Sequence, residues 1–289
     1  MGKNIVDLHV HSIYSDGCLS PEEIIELAKK ESITTLAITD HDNIEGSKEL
    51  IRLNPEGINI YSGVELTAKA NKGRMHILGY NIDLENEKLN EKLKEMKDAS
   101  IYNIMLYVEL LKKYFAIIIP EEELNNLLSI KGNIGRPQLA LLLIKLGYCR
   151  TVDEAFNKYL IFVYEKTRTI KKGLTKEECI DLITSAGGIA SLAHFNSLKM
   201  SLEELKNEIL YLKSIGLGAI ESTHINLSDE ERSLARNIAT EYNLLETGGT
   251  DYHGPKVKPD VYIGTGRNGN VLIPENTLSL TKKYPSRYN

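Results

Sequence analysis

Thr-Lys-Glu-Glu-Cys-Ile-Asp-Leu-Ile-Thr-Ser-Ala-Gly-Gly-Ile-Ala-Ser-Leu-Ala-His, residues 175–194, contains the unit from which the chain is built. Thr175 followed three residues later by Glu178 is a capping box. The hydroxyl takes one unpaired N–H at the helix start and the carboxylate reaches back to another. The helix expected over 175–186 leads into a short apolar run, 189–193, of the kind that forms a buried strand, and a histidine closes it. The same order recurs: Ser20/Glu23, Ser201/Glu204 and Ser228/Glu231 open helices over 20–31, 201–215 and 228–242, which lead into apolar runs at 35–39, 218–222 and 244–247. Pro21 suits the first helical position, and Thr151/Glu154 is a fifth box. Helices alternating with apolar strands imply an α/β fold: a parallel sheet covered by helices, with ligands gathered at the carboxyl ends of the strands. His41, Glu65, His194, His224, Asp251 and His253 are expected at or just beyond such ends.

The middle of the chain breaks this rhythm. Residues 87–115 carry Leu93, Met96, Ile101, Ile104, Tyr107, Val108 and Leu111 at helical spacing; shorter helices are expected near Pro120 and from Pro137 to Leu146. The chain thus divides into a barrel-forming part, 1–84 with 161–289, and a helical insertion, 85–160.

At 289 residues the chain can bury a full core. A net charge of -5 argues against an extended nucleic-acid surface, while leaving room for a small anionic substrate in a local positive pocket. No apolar run spans a bilayer, strand-like sequence begins by residue 4 with no signal peptide, and Cys18, Cys149 and Cys179 lack metal or redox spacing. These features lead to the expectation of a cytoplasmic protein.

All seven histidines stand where a metal can use them. On a strand, residues i and i+2 share a face, so Asp7, His9 and His11 point one way while Val6, Leu8 and Val10 pack the other. Asp251 and His253 repeat this spacing, and Asp16 lies in the loop after the first strand. Mixed imidazole and carboxylate donors suit manganese, iron or zinc better than magnesium or calcium.

Asp7-Leu-His-Val-His-Ser12, Ser15-Asp-Gly17, Thr39-Asp-His-Asp42, Gly63-Val-Glu65, His76, Leu192-Ala-His194 and Thr250-Asp-Tyr-His-Gly254 resemble, in order and over nearly the whole chain, the motifs of the PHP (polymerase and histidinol phosphatase) family. Gly135-Arg-Pro137 within a helical insertion resembles its branch of 3',5'-nucleoside bisphosphate phosphatases and 5'-to-3' exoribonucleases. The resemblance implies a distorted (β/α)7 barrel with three divalent ions, manganese first among them. One ion would take His9, His11, Glu65 and Asp251; a second Glu65, His76 and His194; a third Asp16, His41 and His253. A metal-bound hydroxide would attack phosphorus in line. His224 and Asp251 are the expected catalytic residues, with His224 also contacting phosphate. Arg136, at a predicted helix start, would bind a second phosphate.

The chain departs from the family in having Gln138 after Gly-Arg-Pro and Phe195 after His194, which bears on substrate preference. Lys166, Arg168, Lys171 and Lys172 keep the following loop positive. The expected activity is hydrolysis of a phosphate ester on a nucleotide or short 5'-phosphorylated oligonucleotide. The alternatives are a histidinol-phosphate phosphatase and a non-catalytic scaffold. Asp7, Asp40 and Asp42 are expected to cap helices or orient imidazoles.

Overall fold

The structure, a computed structural model, describes residues 5–132, 134–167, 173–274 and 278–288. The elements follow in the order β1 (Ile5–Val10), α1 (Pro21–Lys30), β2 (Ile33–Ile38), α2 (Glu45–Leu53), β3 (Asn59–Ala68), β4 (Met75–Tyr80), α3 (Glu87–Phe115), α4 (Glu121–Leu128), α5 (Arg136–Lys145) and α6 (Val152–Ala155). A π-helical turn, Phe156–Leu160, joins α6 to α7 (Ile161–Thr167). Then come α8 (Lys176–Ser185), β5 (Ile189–Leu192), a 3-10 turn (Phe195–Leu198), α9 (Leu202–Ser214), β6 (Leu217–Thr223), α10 (Asp229–Glu241), β7 (Leu245–Gly248) and α11 (Ser279–Lys283).

The capping boxes at Ser20, Thr175, Ser201 and Ser228 close in full, so α1, α8, α9 and α10 start where the hydroxyl and the returning glutamate satisfy the first N–H groups. Thr151 differs. Its hydroxyl accepts from Glu154 N, but the Glu154 carboxylate accepts from Arg150 N, one residue too early for a box.

The seven strands form a sheet in the order β1 to β7. β1, β2 and β3 are mutually parallel, as are β5, β6 and β7. The expectation of a wholly parallel sheet fails at β4, which runs antiparallel to both neighbours. The reason is local: only residues 69–74 separate β3 from β4, and a parallel crossover needs roughly a dozen residues or more. This reversal brings the start of β4, and with it His76 opposite Thr67, to the end of the sheet where the other strands finish. Glu65 likewise sits inside β3 rather than at its end, because β3 runs on past β2 into the hairpin.

The sheet curls into a distorted (β/α)7 barrel. β7 does not ladder onto β1; the segment after β7 does so instead, with His11 N donating to Tyr252 O at 2.8 Å and Tyr252 N to His9 O at 3.3 Å. Gly249 makes the approach possible: a Cβ there would stand 2.4 Å from the His9 backbone nitrogen. Val6, Leu8 and Val10 join Ile24, Ala28, Leu36, Ile38 and Ile60 in one apolar core. The alternate positions Asp7, His9, Glu65 and Glu221 are also fully buried. Buried charge persists only when it is paired or bound to a metal, so these positions mark the functional interior.

The chain separates into two compact units, Met1–Asn90 with Leu174–Asn289, and Glu91–Gly173. The second has its own core, built from Ile104, Tyr107 and Leu111 of α3, Leu139 and Leu143 of α5, and Val163 of α7. Arg168, Lys171 and Lys172 of the expected positive loop lie outside the described residues. Among the described residues, no helix is long and apolar enough to cross a membrane.

Candidate metal centre

Glu65 is the hub of the site. Its Oε2 lies 3.0 Å from His9 Nε2, 3.1 Å from His11 Nε2 and 3.4 Å from His41 Nδ1. Its Oε1 lies 2.7 Å from His76 Nδ1 and 3.0 Å from His194 Nε2. A carboxylate offers about four lone-pair sites, fewer than the imidazole nitrogens crowded around this one. Hydrogen bonding alone therefore leaves the cluster incomplete. His11 Nε2 shows the deficit directly. It is buried, 3.1 Å from Glu65 and 3.3 Å from Asp251 Oδ1, yet has no hydrogen-bond partner among the described residues. A ring nitrogen aimed between two carboxylates suits a bound cation.

The remaining donors extend outward. Asp251 Oδ1 is 3.5 Å from His253 Nδ1. Asp16 Oδ1 is 3.2 Å from His253 Nε2 and 3.6 Å from His11 Nδ1, and Asp16 Oδ2 is 3.9 Å from His41 Nε2. Compact donor groups include His11, Asp16, His41 and His253; His9, His11 and Asp251; His9, Glu65 and His194; and His41, Glu65 and His76. Every residue expected to bind metal thus lies in one connected cluster.

Hydrogen bonds to the far side of several imidazoles set their tautomers. Glu221 Oε1 accepts from His9 Nδ1 at 2.8 Å, which turns Nε2 toward Glu65 Oε2 at 3.0 Å. Ser197 Oγ donates to Arg74 O and so accepts from His194 Nδ1, which turns His194 Nε2 toward Glu65 Oε1 at 3.0 Å. His253 Nδ1 donates to Asp251 O at 2.8 Å, freeing Nε2 toward Asp16. His224 has the opposite form: Nδ1 accepts from Asn226 N, so Nε2 carries the proton, 3.6 Å from Asp251 Oδ2. The group of His9, Glu221 and His224 could geometrically hold an ion. These tautomers turn its imidazoles into donors instead.

Charges in the cluster compensate each other. Burial raises the Glu65 pKa, but His41, His9 and His76 outweigh it and hold the carboxyl well below its usual range. Burial also opposes Asp251, which His11 and His224 nonetheless keep far down. Burial lowers His9, yet Glu221 and Glu65 raise it well above an ordinary histidine, and His11 is similarly pushed up to about 9. For His41, burial dominates and pushes it down to about 3.

Backbone strain accompanies the site. His194 and Asp251 have φ of 20° and 51°, positions that cost non-glycine residues about 1–3 kcal/mol each and persist only where surroundings over-determine them. Here Glu221 Oε2 accepts from His194 N at 2.8 Å, and Lys258 Nζ donates to Asp251 O and Oδ2 at 3.1 and 2.6 Å.

Asp7, Asp40 and Asp42 hold loops; none hydrogen-bonds an imidazole among the described residues. Asp7 accepts from Thr250 N and Oγ1 and from Gly264 N, Asp40 from Ser12 and Ser15, and Asp42 from Thr67 N.

The cluster floors a cleft of about 380 Å³ that also exposes Arg74, Asn196, Asn226 and Lys258. Sequence reasoning missed Glu221 as an orienting group, and missed Arg74 and Lys258 as cleft cations. For Glu221 a signal existed: a carboxylate inside an apolar strand, three residues before a histidine.

In the helical unit, Arg136 is the first residue of α5, and its guanidinium lies 4.0 Å from the Tyr164 ring centre. It forms no ion pair among the described residues. Gln138 accepts from Gly135 N at 2.9 Å and so caps the helix.

The PHP domain family matches residues 7–215. The 5'-3' exoribonuclease Rnm of Escherichia coli is 31% identical over 255 residues, covering 87% of this chain and 86% of that one. The 3',5'-nucleoside bisphosphate phosphatase of Chromobacterium violaceum is 26% identical over 256 residues, covering 86% and 87%. A crystal structure from Bifidobacterium adolescentis, assigned as a metal-dependent phosphoesterase, superposes with a TM-score of 0.70 at 27% identity, covering 87% of this chain and 88% of that one. The chain belongs to the PHP family. With its histidine–carboxylate centre it is an enzyme of the metal-dependent phosphoesterase class, a hydrolase of phosphoric ester bonds.

Proposed function

We propose that the enzyme hydrolyses a phosphate ester carried on a nucleotide, either a 3',5'-nucleoside bisphosphate or a short 5'-phosphorylated oligonucleotide. The observation that carries this is Glu65, ringed by imidazoles at the floor of a cleft edged with cations. The likeness to a nucleotide phosphatase and an exoribonuclease supports it.

Three divalent ions would be held by His9, His11, Glu65 and Asp251, by Glu65, His76 and His194, and by Asp16, His41 and His253, with Glu65 shared between the first two. Manganese is the first choice for such a donor set, with iron or zinc also compatible. Bound there, the ions supply Lewis acidity and lower the pKa of water to near neutrality.

The chain does the rest. His224 presents an N–H toward the cleft and donates it to a phosphoryl oxygen or to the departing oxygen. Lys258 and Arg74 draw the anionic group into the cleft and neutralise charge that builds on the phosphoryl oxygens. Glu221 keeps His9 and His194 in the orientation the ions need. Arg136, stacked on Tyr164 and unpaired with any carboxylate among the described residues, binds the second phosphate.

The test is phosphate release by manganese-loaded protein from adenosine 3',5'-bisphosphate, AMP, histidinol phosphate and a short 5'-phosphorylated RNA, side by side. Preference for the bisphosphate or the RNA is expected. Preference for histidinol phosphate would transfer the chemistry to the alternative substrate, and turnover of none would leave the scaffold reading.

Chelation should stop turnover and added manganese should restore it; turnover indifferent to chelator would overturn the mechanism. Arg136→Ala should lower kcat/KM for the bisphosphate roughly 10–100-fold, matching the roughly 1.5–3 kcal/mol that charge-assisted hydrogen bonds contribute, and leave a simple aryl phosphate nearly untouched. An equal fall on both substrates would make Arg136 structural.

A further inference from the structure

The helical unit has a composition unlike the rest of the chain. Residues 91–173 contain 14 lysines and arginines against 10 aspartates and glutamates, a net +4, whereas the whole chain is -5. The same stretch holds three of the four phenylalanines. A positive, aromatic-rich unit within an acidic protein is a segregated charge pattern that the metal chemistry does not require.

These residues converge at one place. The end of α3 meets the π-helical turn and α7, where Tyr114 packs edge to face on Phe162 at 5.1 Å, Phe162 on Phe115 at 5.4 Å, and Phe115 on Tyr159 at 5.2 Å. Phe115 and Tyr159 form the half-buried backing, and Tyr159 is fixed by its hydroxyl donating to Tyr148 O. Tyr114 and Phe162 face outward, 46% and 38% exposed. Each carries a lysine: Lys113 Nζ lies 5.2 Å from the Tyr114 ring centre and Lys166 Nζ 5.3 Å from that of Phe162. Neither lysine is paired with a carboxylate among the described residues. The π-helical turn itself, Phe156–Leu160, is an uncommon irregularity that occurs often at functional sites.

An exposed ring held rigidly from behind, with an unpaired ammonium beside it, matches the two halves of an unpaired nucleotide. The base has a π-face to stack and the phosphate has a charge to neutralise. A protein partner would be served by the rings but gives no reason for two unneutralised lysines poised over them. We infer that Tyr114 and Phe162, with Lys113 and Lys166, form a stacking platform for single-stranded oligonucleotide. The lysines leave the ring faces for phosphates as bases take their place. This deepens the nucleotide reading proposed above, on which it rests, and favours an oligonucleotide over a mononucleotide.

The experiment is fluorescence anisotropy of a labelled, 5'-phosphorylated, phosphorothioate-linked eight-nucleotide RNA titrated with the manganese-loaded full chain. The Tyr114→Ala/Phe162→Ala pair should weaken binding about tenfold or more, whereas Tyr114→Phe/Phe162→Tyr, which keeps both rings, should bind like the parent. Tyr114→Leu/Phe162→Leu keeps apolar bulk without the π-face and should bind as poorly as the alanine pair, which separates stacking from folding. Lys113→Ala/Lys166→Ala should flatten the salt dependence, by about 0.7 in log–log slope for each phosphate no longer neutralised. Unchanged RNA affinity in the alanine and leucine pairs would overturn the inference. So would a change from dimer to monomer, by light scattering, with RNA affinity intact, since the patch would then join two copies. Phosphate release by the parent protein is scored separately, so ring-dependent RNA binding without hydrolysis would reject the catalytic reading and leave the platform standing.

Discussion

Glu65→Ala is expected to abolish turnover and to remove most bound metal. No other side chain among the described residues touches so many imidazoles: both its oxygens are engaged, by His9, His11 and His41 on one and by His76 and His194 on the other. Truncation removes the one anion proposed to be shared by two ions, and leaves the five imidazoles around it without the carboxylate that sits between them. Metal stabilisation of the transition state is worth several kcal/mol, so a fall in kcat of about 10³-fold or more is expected. A second readout needs no turnover. A ligand that binds only the folded state raises its melting temperature, so manganese should stabilise the parent chain and barely move the variant. A variant that keeps both its metal content and its manganese-induced melting shift would show that Glu65 is not a ligand.

Glu221→Gln should give the second largest effect, although Glu221 is not itself proposed to bind metal. Its two oxygens accept from two donors of different origin, the His9 ring and the His194 backbone, on segments far apart in sequence. Glutamine keeps the shape but turns one acceptor into a donor, so one of the two contacts becomes N–H against N–H. Either His9 loses its orientation or His194 loses the partner that holds its strained backbone. Loss of such an orienting group weakens metal binding about 10–100-fold. An unsatisfied buried donor costs about 1–3 kcal/mol, which should lower the melting temperature of the metal-free protein by several degrees. Calorimetric manganese titration and metal-free melting check the two parts separately. Unchanged affinity with lowered stability would reduce Glu221 to a structural role.

Much of this site is legible in the residues themselves. The i, i+2 spacing of His9 and His11 follows from the pleat of a strand, and the boxes at Ser20, Thr175, Ser201 and Ser228 mark helix starts through contacts that span only three residues. The family motifs select the histidines and carboxylates that do converge. The repeating helix–strand unit misleads at β4, because it carries the expectation of a parallel sheet over a place where no helix intervenes. The connection of residues 69–74 is too short for any direction but the reversed one. Asp7 lies two residues before His9 and Asp40 directly before His41, which suggests an imidazole as the partner of each. Their carboxylates instead take hydroxyl and backbone donors that only the fold brings near, Thr250 and Gly264 for Asp7 and Ser12 and Ser15 for Asp40.

The sequence by itself determined where helices begin, which strand faces are apolar, and which residue types are available to hold cations, because each of these depends on contacts a few residues apart. Only the tertiary structure decided how they are used. It placed Glu221 behind His9, 212 residues away, and gave His224 the tautomer that makes it a donor. It also carried Gly249 against the backbone of β1, so that Asp251 and His253 meet His11 and Asp16. Those outcomes depend on the curl of the whole sheet, a sum of small twists over seven strands that no local pattern of residues encodes.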